Sequence, residues 1–182
     1  MKEQSIAQIL SFWFEEITPK QWFTKDDAFD ALLETRFGKL VGDALGGRLD
    51  SWAVSKDGTL ALILLLDQMT RNIHRDTPLA FAGDEMALAH ALNAVSKGYL
   101  DDAPSIRNLF TLMPLMHSEE LAIHHKAQPL FAKHTSEQGL DALRRHSVII
   151  ERFGHYPHRN AILGRPSTDE EIAFLQEPNS SF

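Results

Sequence analysis

The chain has 182 residues, of which 43% are hydrophobic and 24% charged, and its formal net charge is −7 at pH 7. This length favours one domain that buries roughly 70% of the surface of the unfolded chain. The acidic balance disfavours nucleic acid and anionic membranes as partners. The absence of cysteine excludes disulfides and thiolate metal sites. We expect one cytoplasmic domain over 1–182, with its last few residues frayed.

The most apolar segment of the chain, 60–66, ends at Asp67. It is far shorter than the about 20 residues that cross a membrane, so it predicts a buried central helix. The first sixteen residues are acidic and contain no cleavage motif after an apolar stretch, so they predict a helix and not a signal peptide.

Start and stop signals along the chain predict helices and no strand. In chain order the predicted helices are 3–16, ending before Pro19; Asp26 or Asp27 to Gly38; 57–72, capped by Asp57; Thr77-Pro78 to Lys97, with Gly98 beyond; 105–126, with Pro114 as a kink or break; the capping box Thr135-x-x-Gln138 to Gly154; and Ser167 or Thr168 to a point before Pro178. Short connections between successive helices are typical of antiparallel hairpins stacked like tetratricopeptide repeats. The expected fold class is all-α.

A dense polar segment follows the apolar run. Asp67 and Arg71 lie four residues apart, as do Gln68 and Asn72, so each pair shares one face of a helix, and Arg75 comes next. Such residues either satisfy one another and the helix end, or form a site, and the sequence leaves both open.

A second polar segment follows the helix that is predicted to end at Gly154. Its polar side chains belong to His155, His158, Arg159 and Asn160. Pro157 disfavours helix at the residue before it, so we predict a loop or short irregular turn. The surrounding stretch, 144–165, holds five arginines and one acid. It is interpreted either as an anion site or as a loop held by its own hydrogen bonds.

A third group is His117, Glu120 and His124, which would share a face if helix resumes after Pro114. That spacing could hold a metal, but the sequence lacks H-E-x-x-H, a phosphate loop and a dinucleotide fingerprint. We therefore expect neither a metal nor a cofactor.

Six groups of residues carry a resemblance to a known family. They are Phe12-Trp13-Phe14; Leu66-Asp67-Gln68 with Arg71-Asn72; Ala80-Phe81-Ala82 with Asp84; Met113-Pro114-Leu115 with His117-Ser118-Glu119; Phe153-Gly154 with Pro157-His158-Arg159-Asn160; and Leu163-Gly164-Arg165 with Ser167-Thr168 and Phe174-Leu175. The chain resembles, over nearly its whole length, the bacterial family called domain of unknown function 924. The resemblance implies a small all-helical, tetratricopeptide-like protein and no established reaction, substrate or cofactor.

The chain departs from that family at one place. Relatives commonly read Phe-Pro where this sequence has Met69-Thr70. Threonine can continue a helix that proline would interrupt, so we expect the helix to run on here. Arg71 and Asn72 would then be rotated relative to their positions in those relatives.

Three functions are compatible with these residues. The first is a site that binds a small anion or an acidic peptide, lined by Gln68, Arg71, Asn72, Arg75, His155, Arg159 and Asn160. The second is a hydrolase or lyase acting on an anionic small molecule, with His117 or His158 as acid or base and Asp67 orienting the imidazole. The third is a structural polar network without a ligand.

The two polar segments are expected to face one another in the fold. Asp67 and Arg71 emerge from a helix that is otherwise buried, so their surroundings must supply partners. The densest supply of donors elsewhere is 155–160. Arginines that are fully paired and buried with no cavity beside them would favour the structural network, and an exposed concave site would favour anion binding. An unpaired histidine with a shifted pKa beside a carboxylate would favour the enzyme.

Overall fold

The computed structural model describes residues 2–178 and 180–181, and its regular elements are helical. The α-helices of this part are α1 (Lys2–Ser11), α2 (Pro19–Phe23), α3 (Asp27–Leu45), α4 (Lys56–Ile63), α5 (Thr70–Ile73), α6 (Asp84–Ser96), α7 (Ser105–His117), α8 (Leu121–His134), α9 (Glu137–Phe153), α10 (Asn160–Leu163) and α11 (Asp169–Phe174). The prediction of an all-α fold is confirmed. Two of the residues that were predicted to fray, Asn179 and Phe182, lie outside the described residues.

Shorter helical turns complete the chain. The 3₁₀ turns are Asp50–Val54, Pro78–Phe81 and Pro157–Arg159, and the wider π-helical turns are Phe12–Glu16 and Leu64–Met69. The first π turn continues α1, so one helical stretch covers 2–16, close to the prediction. The second joins α4 to α5, so the central helix runs on through Thr70 to Ile73, also as predicted.

The N-terminal half has one helix that was not predicted and one predicted helix end that is wrong. Pro19 follows the first helix, as predicted, and also begins a second one, because proline suits the first helical position and the Thr18 N–H donates to Gln21 Oε1 at 2.9 Å. The next helix continues past Gly38 to Leu45 because Val41 and Ala44 are buried in the core. Their burial outweighs the cost of a glycine within a helix, about 1 kcal/mol.

Three other helix starts also differ from prediction. Ser55, not Asp57, caps α4, with its Oγ accepting from the Gly58 N–H at 3.1 Å. Ser136, not Thr135, caps α9, because Thr135 already ends α8 through two bonds to the Phe131 carbonyl. Residues Pro78–Phe81 form a separate 3₁₀ turn, so α6 begins only at Asp84.

The C-terminal half contains one further correction. Pro114 does not break its helix; the chain leaves the helix at Ser118, and α8 then continues to His134 instead of ending near 126. The predicted helix ends at Lys97-Gly98 and at the αL residue Gly154 are confirmed, and of the two predicted starts of the last helix the structure has the capping box at Thr168.

The main core forms around the central helix. The side chains of 60–66 are at most 4% exposed, and α1, α3, α6 and α7 pack around them. A smaller apolar cluster, formed by Ile149, Ile150, Tyr156 and Phe174, lies beneath the C-terminal segment. No helix of the described residues is long and apolar enough to span a membrane.

Candidate functional site

Asp67 lies in the π-helical turn of the central helix and is 0% exposed. One carboxylate oxygen, Oδ1, is 2.7 Å from His117 Nδ1 and 2.9 Å from an Arg71 nitrogen. The other, Oδ2, accepts from Gln68 Nε2 at 2.6 Å. Such π turns are frequent at functional sites, and this one places two neighbouring polar residues at the end of an apolar helix.

Thr70 stabilises this wide turn. Its backbone N–H bonds to the Leu65 carbonyl, five residues earlier, and its hydroxyl donates to the same oxygen at 2.7 Å. A proline at this position could donate neither bond. The geometry of the π turn therefore depends on a residue at position 70 that can donate these bonds.

Asp67 is ionised, and this fixes the proton on His117. Burial alone would raise the pKa of Asp67, but the charges of Arg71 and His117 and the hydrogen bonds from His117 and Gln68 hold it well below its usual range. An ionised carboxylate only accepts hydrogen bonds, so His117 donates from Nδ1. In the neutral ring, Nε2 then carries no proton.

The Nε2 atom of His117 is the open end of this pair. It makes no hydrogen bond to any described residue, and the side chain remains 16% exposed. An imidazole oriented through Nδ1 by a carboxylate, with Nε2 available, is the arrangement in which histidine acts as a general base.

Asp84 joins the two polar segments that were predicted to meet. Its carboxylate oxygens lie 2.9 Å and 3.0 Å from Arg71 nitrogens, and Oδ2 also accepts from Arg159 Nη1 at 3.0 Å. Arg159 Nη2 donates to the His117 carbonyl at 2.9 Å. The structure therefore brings Arg71 and Arg159 together, beside His117, through an acid that the sequence did not identify as a site residue.

Gly83 makes this junction possible. A Cβ at this position would lie 2.1 Å from the Leu66 carbonyl oxygen, a backbone atom of the π turn. The φ angle of Gly83 is −92°, which any residue adopts, so the close approach alone requires glycine. Asp84 directly follows and reaches Arg71.

Arg159 is held rigidly. The centre of its guanidinium is 4.7 Å from the ring centroids of both Phe81 and Tyr156. Such stacking favours the charged guanidinium in a partly buried position. Arg159 thus forms the side of the site that lies next to the C-terminal segment.

Glu119 and Arg165 form a second ion pair next to the first. Arg165 donates to both oxygens of Glu119 at 2.7 and 2.9 Å, and Glu119 Oε1 also accepts from the Tyr156 N–H at 2.8 Å. Burial would raise the pKa of Glu119, but Arg165 and this backbone bond lower it. No local spacing in the sequence indicates this pair, because its members are 46 residues apart.

The other predicted ligand-binding residues lie elsewhere. Asn72 and Arg75 bond to Asp30 on α3, with the Arg75 contacts at 2.6 and 2.9 Å. Gln68 turns away from Asn72 toward Asp67. Asn72 and Arg75 therefore fix the end of the central helix to α3.

His155 and Asn160 hold the last helix in place. Asn160 Nδ2 donates to Ser167 Oγ at 3.1 Å, and His155 Nε2 lies 2.5 Å from Glu171 Oε1. These contacts connect the second polar segment to α11 and not to Arg71.

The third predicted group is separated by the break at Ser118. His117 points to Asp67, whereas His124 bonds to Ser147 Oγ at 3.0 Å and to the Ser118 carbonyl at 2.8 Å. Glu120 lies at the exposed start of α8. Within residues 2–178 and 180–181, no group of three or more His, Asp or Glu side chains could hold a metal ion.

Two further histidines surround the site as neutral groups. Burial lowers the pKa of His146 to about 3, and burial followed by the charge of Arg159 lowers that of His158 to about 4. His158, the other candidate catalytic histidine, lies beside Tyr156 at 5.5 Å between ring centroids. The structure thus pairs Asp67 with His117 and not with His158.

These low pKa values predict a loss of stability in acid. Below about pH 6.5 the unfolded chain protonates both histidines while the native protein leaves them neutral, so stability falls as pH decreases toward 4. We expect His146→Gln to reduce the loss between pH 7 and pH 5 by about 2 kcal/mol. Urea denaturation at both pH values measures this, with exposed His125→Gln as the control. An unchanged difference would show that His146 is protonated in the native protein.

Two cavities of the described structure lie away from this site. One, of about 20 Å³, is lined by α4 and α7 residues that include Thr59 and Asn108. The other is an open groove of about 470 Å³ lined by α1 and the start of α4, including Ile6 and Lys56. Neither is lined by Asp67, His117 or Asp84.

Comparisons with known proteins identify relatives without a known activity. The family model described as "Bacterial protein of unknown function (DUF924)" matches residues 9–179. The solved structure of a protein of unknown function, ATU0120 from Agrobacterium tumefaciens, is similar to this chain, with a TM-score of 0.91 and 35% identity. The match covers 97% of this chain and 99% of that one. No curated protein matches.

Proposed function

The chain belongs to the bacterial family DUF924, and we propose that it is an acid–base catalyst of the hydrolase or lyase class. His117 transfers protons through Nε2, and Asp67 orients the ring. The observation that carries the proposal is the 2.7 Å contact between His117 Nδ1 and a fully buried, ionised carboxylate, with Nε2 left open. As a base, Nε2 takes a proton from water or from a substrate hydroxyl, and it returns the proton to a leaving group.

The arginines support this dyad. Arg71 keeps Asp67 ionised, and Arg159 fixes the end of α7 through the His117 carbonyl. Both guanidinium groups are paired with carboxylates, as the hypothesis of a structural polar network predicts. A purely structural network does not need a histidine whose second nitrogen is open.

The hypothesis of an anion-binding site stays a prediction with less support. Three arginines of the site, Arg71, Arg159 and Arg165, face three carboxylates, those of Asp67, Asp84 and Glu119. An anion would compete with these internal partners for the terminal guanidinium nitrogens. The cytoplasmic location and the tetratricopeptide-like arrangement of the hairpins likewise remain part of the proposal.

Turnover of model substrates tests the catalytic proposal. Suitable probes are p-nitrophenyl esters, phosphates and glycosides for hydrolysis, and small β-hydroxy acids for elimination. We expect His117→Gln to lower turnover by about 10²–10⁴-fold, the usual contribution of a general acid or base. His125→Gln, an exposed histidine on α8, is the matched control and should keep the full rate. An unchanged rate in His117→Gln, or no turnover of any probe by the wild type, would contradict the proposal.

A further inference from the structure

The terminal guanidinium nitrogens of the site already bond to internal acceptors. Arg71 bonds to Asp67 and Asp84, Arg159 to Asp84 and the His117 carbonyl, and Arg165 to Glu119. The Nε atoms of Arg159 and Arg165 bond to no described residue, but both are buried away from the surface. A bound carboxylate or phosphate would therefore compete with internal acceptors for the terminal nitrogens.

Gln68 presents an open acceptor beside the dyad. Its amide nitrogen donates to Asp67 Oδ2 at 2.6 Å and approaches Met113 Sδ at 3.3 Å. The ionised carboxylate can only accept, so the amide is oriented with Oε1 pointing away from Asp67. Gln68 is 8% exposed, and Oε1 has no partner among the described residues. This oxygen is not among the fully buried atoms without a partner, so it is accessible and can accept a hydrogen bond from a ligand.

The two open atoms belong to one small region. His117 and Gln68 are bonded to the two oxygens of the same carboxylate. The distance between His117 Nε2 and Gln68 Oε1 is therefore within the span of a small molecule. In the neutral ring Nε2 is also an acceptor, so both open atoms require hydrogen-bond donors.

We infer that the site takes a small polyhydroxy or amino-alcohol substrate, whose hydroxyl or amine groups donate to His117 Nε2 and to Gln68 Oε1. This inference rests on the proposed function for the reacting role of His117. One donor of the substrate, or a water beside it, loses its proton to Nε2. The second donor is held by the carbonyl of Gln68 and sets the orientation. The class of substrate is thus uncharged or cationic, which differs from the anionic molecule expected from the sequence.

Binding of small probes to the wild-type protein tests this choice. The donor probes are glycerol, myo-inositol and ethanolamine, and the anionic probes are acetate, citrate and inorganic phosphate. The readouts are the NMR shifts of the Gln68 side-chain amide and of the His117 ring nitrogens. We expect at least one donor probe to shift both groups in a saturable way, while the anions leave them unchanged. Shifts from the anions alone, or from no probe, would overturn the inference.

Gln68→Met tests the second anchor, because methionine keeps the length of the side chain and its packing against Met113 but removes the carbonyl. We expect it to weaken binding of the donor probe by about tenfold or more, the usual effect of leaving a donor without its partner. Gln128→Met, at an exposed position on α8, is the control and should have no effect. Equal affinities of the wild type and Gln68→Met would refute the role of Gln68. The comparison of probes on the wild type decides the substrate class even if Gln68→Met does not fold.

The results separate this inference from the proposed function. If donor probes bind at Gln68 but His117→Gln turns over substrates at the full rate, the catalytic proposal fails and the ligand class stands. If His117→Gln loses turnover while Gln68→Met binds and turns over substrates normally, catalysis stands and the inference fails.

Discussion

Replacing Asp67 with alanine is expected to lower the free energy of unfolding by about 3–5 kcal/mol. Asp67 is fully buried and accepts from His117 and Gln68 while balancing the charge of Arg71. Its removal leaves the partly buried Arg71 with Asp84 as its carboxylate partner, and it leaves the Gln68 amide nitrogen without its acceptor. Urea denaturation at neutral pH measures the loss.

The control for this variant is Asp141→Ala. Asp141 forms an exposed i, i+4 pair with Arg145 at 3.2 Å, and such pairs contribute about 0–1 kcal/mol. If Asp67→Ala costs no more than this control, the carboxylate is not the buried centre of the network. Asp67→Asn keeps the shape of the side chain, so it should cost less stability than alanine and still disturb His117.

Leu65→Ala is the second change for which we expect a large effect, about 2–5 kcal/mol, from the lost transfer free energy and the cavity left behind. Leu65 is 0% exposed in the middle of the apolar run, and its carbonyl also receives both bonds from Thr70. Thermal and urea denaturation measure the loss.

Leu79→Ala provides the matched control, because Leu79 is 54% exposed and a surface substitution usually changes stability by less than about 0.5 kcal/mol. A Leu65→Ala cost as small as that of Leu79→Ala would mean that the central helix is not the core of the fold.

Local signals in the sequence predicted the fold where one signal had no competitor. Gly98 and Gly154 end helices in the αL conformation. The predictions failed where two neighbouring residues could each cap, as with Ser136 and Thr135. They also failed at Gly38, where burial of Val41 and Ala44 decided the outcome. The π turn at Leu64–Met69 has no pattern in the sequence, and its backbone lies so close to Gly83 that a Cβ there would clash with the Leu66 carbonyl.

The candidate site was predictable only in part. The need of buried Asp67 and Arg71 for partners correctly predicted that Arg159 would lie close to Arg71. The residue that connects them, Asp84, is 75 positions from Arg159, and no local spacing indicates such a pairing. For the same reason the contacts of Asn72 and Arg75 with Asp30, 42 and 45 positions away, were not foreseen. Which histidine would meet Asp67 also depended on where α7 ends.

The protonation of the His117 ring tests most directly the claim that Asp67 prepares this histidine as a base. Nitrogen-15 NMR distinguishes a protonated from an unprotonated ring nitrogen. When the His117 ring is neutral, the account predicts a proton on Nδ1 and none on Nε2. In Asp67→Asn the proton should move to Nε2, because the asparagine amide can donate to Nδ1. A proton on Nε2 in the wild type, or a ring that Asp67→Asn leaves unchanged, would contradict the account.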